Sequence, residues 1–478
     1  MPRTYKQCDQ MLAIDTTDEI FDPGSPIVGT VSRRAPIVTT AAKVSIGLFG
    51  RAKVKIVQRH GNSHSTYRSQ YRFFHTNADD VELLLYNGPM HIERSGGTPE
   101  TWQFAINLPA VTGIDPRSFR KDEPPFPPLG TLESTPVDAL PPTFFFGNPE
   151  SYVEYYLEAM LTYQHKGRWE HYAARLPIEV RATPLASPIR NWKLQRRAHR
   201  ESIHSYLLAP GMDGAGLSLK QKSKQLFHTS SVPKLEYRVE LVTPSLIQLD
   251  HPDTIPLTLR FVPDRNQTSE VLHDVPIPIT LNSIRISYRW EVYVQAPGTF
   301  GMRTDNGTER GDFQLQRVFN SLKEPVMMTI SDDAEAMDFG ALFKLQLRDR
   351  GLYSDNRHLG SIWGGVMRPD FTTHNIKIVQ VFKYYISYRI LDKAEELKFE
   401  VPTRIVPRPL GLNEPPPPFV EPPPFTDVPI DGDAGPSNGP KAPPPTFEEA
   451  IAEAGPSSIV VTGDFKVSNV NPGSKSEL

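Results

Sequence analysis

Residues 140–163, LPPTFFFGNPESYVEYYLEAMLTY, limit the fold of this chain more than any other stretch. A Gly-Asn-Pro turn at 147–149 leads into a run in which every second side chain is apolar. The apolar positions are Val153, Tyr155, Leu157, Ala159, Leu161 and Tyr163. Alternation of this length is typical of a half-buried antiparallel strand whose apolar side chains all point to one face.

A helix is the alternative for this run, because Glu, Ala, Met and Leu are good helix formers and Val153, Leu157 and Leu161 are spaced four apart. Several tyrosines favour a pleated surface instead. A second alternating run, residues 172–180, follows after the short sequence HKGR at 165–168. The two runs and the turn between them therefore predict a β-hairpin.

Bulk properties exclude several classes of protein. A chain of 478 residues and 53.7 kDa is long enough for two sizeable cores. Its 52 Lys+Arg against 55 Asp+Glu indicate no nucleic-acid partner, and its single cysteine, Cys8, cannot form an intrachain disulfide. The first twenty residues lack an apolar core of signal-peptide length, and no run approaches the roughly 20 apolar residues of a membrane span. We expect a soluble cytoplasmic protein.

Alternating segments occur in two blocks. In the first, Ile27 and Val31 predict a short strand, residues 43–56 a longer one with a bulge or bend at Gly50, and residues 102–108 a third. In the second block the alternating runs lie at 235–241, 257–261, 284–294 and 386–390. Short strands separated by turn signals, twice over, predict an all-β chain with two tandem antiparallel β-sandwiches of the immunoglobulin-like kind.

The predicted divisions follow these composition changes. They are a flexible N-terminus at 1–17, a first domain at 18–183, a linker at 184–231 with a helix around 189–208, a second domain at 232–407, and a disordered Pro-rich tail at 408–478. Residues 115–137 are expected to form a surface loop in the first domain. Residues 297–341 are expected to be an irregular insertion in the second.

The order of several segments resembles the fungal α-arrestin family of trafficking adaptors. FDPGSPIVGTV (21–31), KVSIGLFGRAKV (43–54), WQFAINLP (102–109) and residues 140–161 are similar to successive parts of an arrestin N-domain. IPLTLRFVP (255–263) and FTTHNIKIVQVFKYYISYRI (371–390) are similar to parts of an arrestin C-domain. The resemblance spans about residues 15–405. It implies two arrestin-like sandwiches and no catalytic site.

The catalytic and metal-binding patterns that the sequence could offer also argue against a catalytic site. His60 and His64 lie in HGNSH, which reads as a loop, and the Asp250-His251 pair flanks Pro252 in a turn. The acidic residues between 332 and 338 lack the glycine and terminal glutamate of an EF-hand loop. Nucleophile-elbow, phosphate-loop and dinucleotide motifs are absent from the sequence. We therefore expect no enzymatic activity, no metal and no cofactor.

The Pro-rich tail contains candidate ligands for WW domains, which bind polyproline II segments in aromatic grooves. The candidate residues are Pro416, Pro417, Phe419, Pro422, Pro423, Phe425, Pro444, Pro445 and Phe447. Phe447 continues as FEEA, which is similar to the PPxY-E-E-A ligands through which α-arrestins recruit WW-domain ubiquitin ligases of the HECT type. Thr446 and Glu449 also form a capping box, so a short helix could begin after the prolines.

Phe447 departs from that family pattern, which has tyrosine. Loss of the hydroxyl removes one hydrogen bond, about 0.5–1.5 kcal/mol, while the ring that fills the groove remains. Three weak copies could compensate in part through avidity. The alternative is a spacer whose prolines bind nothing. A fourth match, Pro141-Pro142-Thr143-Phe144, is predicted to be structural because it lies inside the first domain.

A basic cluster follows the first block. It consists of Arg190, Lys193, Arg196, Arg197 and Arg200, with Trp192 and Leu194 between them. These side chains are candidates for contact with anionic lipid head groups, at about 1 kcal/mol per basic residue near such a surface. A solvated linker or surface helix is the alternative, and nucleic acid is less favoured because no wider basic face accompanies the cluster.

These features predict a cytoplasmic adaptor, peripheral at the plasma membrane or endosomes. Its partners would be a WW-domain ubiquitin ligase and the cytosolic tails of membrane transporters or receptors, which a strand face or sheet edge could dock. The alternative is an arrestin-fold scaffold or trafficking protein without ligase coupling, with Phe447 as the trace of that loss.

Overall fold

Strands dominate the computed structural model, which describes residues 12–74, 81–93, 99–113, 124–129, 138–212, 216–227, 231–360 and 367–411. The strands of the first half are β1 (Ala13–Thr16), β2 (Ile20–Phe21), β3 (Pro26–Arg33), β4 (Ile37–His60), β5 (Ser63–Arg72), β6 (Glu82–Ile92), β7 (Glu100–Asn107), β8 (Phe144–Phe146), β9 (Glu150–His165) and β10 (Arg168–Val180). The all-β class predicted from the alternation is confirmed.

The described residues of the second half form fourteen further strands and three short helices. They are β11 (Leu194–His204), α1 (Leu219–Leu226), β12 (Lys234–Pro244), β13 (Leu246–Gln248), β14 (Thr258–Pro263), β15 (Ile277–Gly298), β16 (Gly301–Phe313), α2 (Leu315–Phe319), β17 (Val326–Ile330), β18 (Met337–Asp338), α3 (Phe339–Leu342), β19 (Leu345–Arg348), β20 (Gly351–Ser354), β21 (Arg357–His358), β22 (Ile376–Ile390), β23 (Lys393–Pro402) and β24 (Arg404–Val406). Single 3-10 turns lie at Tyr206–Leu208 and Glu270–Leu272.

The predicted hairpin is β9 and β10, which pair antiparallel from Arg168 opposite His165 onward. Lys166 and Gly167 form its two-residue turn with φ of 47° and 77°, the left-handed geometry that matches the twist of a tight hairpin. All six apolar positions predicted to share the inner face of β9 are buried. Strand alternation, and not the helical alternative, therefore governs this stretch.

Two sheets enclose the first hydrophobic core. One has the order β1-β3-β7, and the other has the order β2-β10-β9-β4-β5, with β6 beside β4 and β8 beside β9. Ile27 and Val31 from the smaller sheet and Val44 and Leu157 from the larger one belong to the same buried cluster. The predicted PPTF segment is structural, as expected, since the Pro141 carbonyl accepts a hydrogen bond from the buried Tyr155 hydroxyl at 2.6 Å.

The second core lies between the sheet β11-β12-β14-β18 and the sheet β16-β15-β22-β23, which β17 extends along β15. Tyr237 and Tyr388, one from each sheet, are fully buried and their hydroxyl groups are 2.9 Å apart. Two small sheets, β19-β20-β21 and β13-β24, complete the second half.

The two cores share strands. β15 and β22 are paired along fifteen positions, from Ile279 opposite Ile390 to Val294 opposite Ile376. At one end their inward side chains belong to the second core. At the other end they enter the first core, where the contributing residues are Trp290, Val292, Val294, Ala296, Ile376 and Ile378, joined by Phe371. The second half of the chain therefore completes the core of the first.

Four local expectations are wrong. Residues 189–208 do not form a helix, because residues 194–204 pair with β12 as strand β11 and bury Ile203. Residues 297–341 are not irregular, since β16 and β17 both pair with β15. Of the residues expected to be flexible at 1–17, those at 13–16 form β1 on β3, and residues 1–11 lie outside the described part. The loop expected at HGNSH is only a two-residue hairpin turn, Gly61-Asn62, with His60 at the end of β4 and His64 in β5.

Gly50 marks neither a bulge nor a bend. β4 pairs with β9 in unbroken register through Gly50, which lies opposite Tyr155. A Cβ at this position would come within 2.8 Å of the rings of Phe74 and Tyr155. The glycine is therefore required by the close approach of two aromatic rings to the strand.

A histidine at the contact between the two halves predicts a pH dependence. The ring of His374 stacks on Tyr71 of β5 with centroids 4.1 Å apart, and burial lowers the pKa of His374 to about 4. The unfolded chain has a pKa near 6.5. Since the unfolded state binds the proton more readily, this contribution to stability is fully present above about pH 6.5 and is lost as the pH falls towards 4.

We expect this histidine to cost about 2–3 kcal/mol of unfolding free energy between pH 7 and pH 4.5. Urea titrations at the two pH values measure it, with His374→Phe as the matched variant because it keeps a stacking ring and cannot titrate. The variant should lose less stability over the same interval. Equal losses in both proteins would show that His374 is not the group responsible.

Candidate docking surfaces

The predicted lipid-contact residues lie on or beside an edge strand. Arg196, Arg197 and Arg200 belong to β11, and Arg190 and Lys193 precede it; all five side chains are exposed. In the described part of the sheet, β11 has a neighbour only on its β12 side. We name these five residues together with β11 the basic edge.

The chain that leads into the basic edge is anchored. The Lys193 carbonyl accepts hydrogen bonds from the backbone N–H and the hydroxyl of Ser245, at 3.2 and 2.7 Å. Trp192 packs on His251 with ring centroids 4.5 Å apart. His251 also contacts the Ile189 carbonyl at 3.0 Å through one ring nitrogen and accepts from the Asp253 N–H at 3.0 Å through the other. Both ring nitrogens of His251, the histidine of the Asp250–Asp253 turn, therefore contact the backbone and help to hold the chain before β11 in place.

The arginines of β11 divide between the two faces of the sheet, because neighbouring residues of a strand point in opposite directions. Arg196 lies 3.7 Å from the carboxylate of Glu240, which is 10% exposed. Arg197 donates to the side chain of Gln195 at 3.2 Å. Among the described residues, no carboxylate lies within ion-pair distance of Arg190, Lys193 or Arg200.

Sequence reasoning missed one member of this surface, Arg238 of β12. It lies directly opposite Arg200 in the register, so the two side chains share the outer face of the sheet. Two like charges in opposed positions disfavour the pairing of strands. The signal was present, since Arg238 lies between the apolar residues Tyr237 and Val239 of a predicted strand, but its neighbour across the sheet was not known.

A second charged surface covers the outer face of the large sheet of the first half. Arg51 of β4 donates to the fully buried carboxylate of Glu154 on β9 at 2.6 Å, and the Arg51 guanidinium lies 5.2 Å from the centroid of the Tyr156 ring. Arg175 of β10 pairs with Glu158 on the other side of Tyr156. A cavity of about 240 Å³ opens here, with Arg72 and Phe74 also in its wall. We name it the arginine cavity.

Nothing in the described ranges resembles a metal centre: they hold no group of three or more His, Cys, Asp or Glu side chains placed to share an ion. Asp332, from the acidic run, instead pairs with Arg265 at 2.8 Å. The tail candidates at 416–425 and 444–447 lie outside the described residues. At the start of the tail, Arg408 pairs with Asp22 at 3.2 Å and the Leu410 N–H donates to the Leu185 carbonyl.

No protein-family model matches this sequence, and a search of curated proteins returns no match. Among the helices of the described part of the chain, none is both long and apolar enough to cross a membrane.

Proposed function

We propose that this protein is a cytoplasmic arrestin-like adaptor, which binds the cytosolic tails of membrane transporters or receptors and recruits a WW-domain ubiquitin ligase of the HECT type for their endocytosis and sorting. The observation that carries the proposal is a pair of antiparallel β cores in tandem, followed by a Pro-rich tail with the sequence PPTFEEA at 444–450. In this proposal the cores are two arrestin-like sandwiches and the tail is disordered.

The segments that resemble arrestin domains support this proposal by their positions. The first four fall on β3, β4, β7 and β8–β9, which surround one core. The two later segments fall on β14 and β22, which contribute to the second core. The segments similar to an arrestin N-domain thus surround the first core, and those similar to an arrestin C-domain contribute to the second.

The surfaces suit a role in binding extended peptides. An edge strand has free backbone N–H and C=O groups that can pair with an added strand, and β11 offers eleven residues of such an edge in the described sheet. The arginines of the basic edge and of the arginine cavity would favour acidic segments of a cargo tail. They would also favour an anionic membrane surface, which supports a proposed peripheral position at the plasma membrane or endosomes.

Binding of the tail to WW domains tests the ligase half of this proposal. We would titrate a peptide spanning residues 439–455 against WW domains of a HECT-type ligase, with Phe447→Tyr and Phe447→Ala peptides beside it. The native peptide should bind in the micromolar range. Phe447→Tyr should bind up to about tenfold more tightly because it regains one hydrogen bond, and Phe447→Ala should bind weakest because it loses the ring.

The substitution at Phe447 also favours a second candidate function, an arrestin-fold scaffold or trafficking protein without ligase coupling. If only the Phe447→Tyr peptide binds, this second candidate replaces the adaptor. A tail deletion at residue 411 in the full protein then distinguishes them in cells, since an adaptor loses cargo turnover with its tail and a scaffold keeps it.

A further inference from the structure

Helix α1 turns its apolar side towards water and its polar side towards the protein, the reverse of an ordinary surface helix. Leu219 and Leu226 are 86% and 74% exposed, and Phe227, which caps the helix, is 73% exposed. None of the residues of α1 is buried. Since seven residues make almost two turns, Leu219 and Leu226 lie on one side of the helix, with Lys222 between them. A soluble protein normally turns such a side towards its core.

The polar side of α1 holds the helix against the protein. The Gln225 side chain accepts hydrogen bonds from the Tyr206 N–H at 3.3 Å and from the Ser205 hydroxyl at 3.4 Å. At the other end, Ser218 and Gln221 form a complete capping box. The capping box stabilises the first turn of the helix, and the Gln225 contacts hold its last turn to the protein while the leucines stay exposed to water.

Charge indicates what would cover this apolar side. Lys220 and Lys222 are exposed, Lys224 lies one turn further on, and residues 216–227 contain no acidic side chain. Two copies of such a helix would repel each other, which disfavours self-association through this side. Leucine and phenylalanine beside lysines are the composition of helices that lie in the interface of an anionic bilayer, where lysine stems reach along the apolar layer and the ammonium groups meet lipid phosphates.

The position of α1 in the fold adds to this charge. The Tyr206–Leu208 turn that holds Gln225 follows directly after β11, so the helix stands at the end of the strand that contains Arg196, Arg197 and Arg200. Between Arg200 and the helix the sequence contains two acidic residues, Glu201 and Asp213, against the three arginines of β11 and the three lysines of α1. The arginines of the edge strand and the lysines of the helix thus lie on elements that meet at the Tyr206–Leu208 turn.

We propose that α1 is a membrane-docking element, which inserts Leu219, Leu226 and Phe227 into the interface of an anionic lipid bilayer. Insertion to the depth of an interfacial helix, about 5–10 Å, is enough to cover these three side chains. Docking of α1 is separate from ligase recruitment, because it needs neither the Pro-rich tail nor a cargo.

The test uses the full-length protein and vesicles of phosphatidylcholine with about 30% phosphatidylserine. Wild-type protein should sediment with these vesicles, and Leu219→Ser/Leu226→Ser/Phe227→Ser should lose at least about tenfold in partition coefficient. Phe300→Ser is the matched control, because Phe300 is 89% exposed at the β15–β16 turn and its loss should leave partition unchanged. All four replaced residues are exposed, so thermal unfolding should be the same in every variant.

A second readout places α1 at the membrane directly. Cys8 is the only cysteine, so Cys8→Ser with Leu226→Cys allows an environment-sensitive dye to be attached at one site. Its emission should shift to the blue with anionic vesicles and much less with pure phosphatidylcholine, because the lysines then lose their attraction. The proposal is overturned if wild type does not bind, if the triple variant binds as well as wild type, or if the triple substitution changes only the oligomeric state in sedimentation velocity.

Discussion

Replacing Trp290 by alanine should lower the free energy of unfolding by about 3–5 kcal/mol, the range for removing a large aromatic side chain from a core. Trp290 belongs to β15 in the second half of the chain, yet it is 5% exposed within the first core. Its ring meets Phe144 of β8 edge to face, with centroids 6.0 Å apart. Urea unfolding followed by circular dichroism measures the loss.

Tyr293→Ala is the matched control on the same strand. Tyr293 lies on the outer face of β15, half-buried, and its hydroxyl donates to Glu291 at 2.7 Å. We expect a loss below about 1 kcal/mol for this variant. If Trp290→Ala costs no more than the control, the first core does not depend on the second half for its closure.

Alternation made the interior of this protein predictable and left its edges unpredicted. The inner face of β9 was identified residue by residue because each alternate side chain is apolar. β16 escaped notice because neither of its faces is buried along most of its length: Thr304, Asn306 and Thr308 are exposed, the residues between them are only partly buried, and Phe313 is its only buried residue. β16 forms because β15 supplies its hydrogen-bond partners. The residues of β16 alone do not reveal which strand they pair with.

β11 was also missed because its partner strand is distant in the sequence. Its arginines, glutamine and alanine are good helix formers, and propensity favoured a helix. Eleven paired positions on β12 decided otherwise. The residues of the basic cluster are exposed, but their placement on a sheet edge and the position of Arg200 opposite Arg238 come from a pairing across about forty residues.

The periodicity of a strand does not show that β15 and β22 each contribute to both cores. From Ile284 to Val294 the pattern of β15 is uniform, so it identifies the buried face without identifying which core lies above each residue. The change from Tyr288, in the second core, to Trp290, in the first, occurs within one step of the alternation. Only the arrangement of the other sheets determines where that change falls.

The fully buried carboxylate of Glu154 predicts a large effect at the arginine cavity. Arg51→Met removes the arginine that donates to Glu154 at 2.6 Å, and the Glu154 carboxylate is fully buried in the wild-type protein. We expect a loss of about 3 kcal/mol, because a buried carboxylate that loses a charged donor retains its desolvation cost. Arg175→Met is the matched control: the Arg175 side chain is 46% exposed, so its ion pair with Glu158 is screened by water and should contribute below about 1 kcal/mol.

The double variant Arg51→Met/Glu154→Met separates charge from packing. Replacing both partners of a buried ion pair by apolar side chains of similar volume is often close to neutral, so the double variant should recover most of the stability that Arg51→Met loses. Urea unfolding of wild type, Arg51→Met, Glu154→Met and the double variant completes the cycle. If the double variant is as unstable as Arg51→Met, the arginine stabilises this face through its contact with the Tyr156 ring, 5.2 Å away, and not through the carboxylate. If the double variant instead recovers its stability, the Arg51–Glu154 ion pair is not needed for stability, because apolar side chains replace it equally well. That result would support a role for Arg51 in binding.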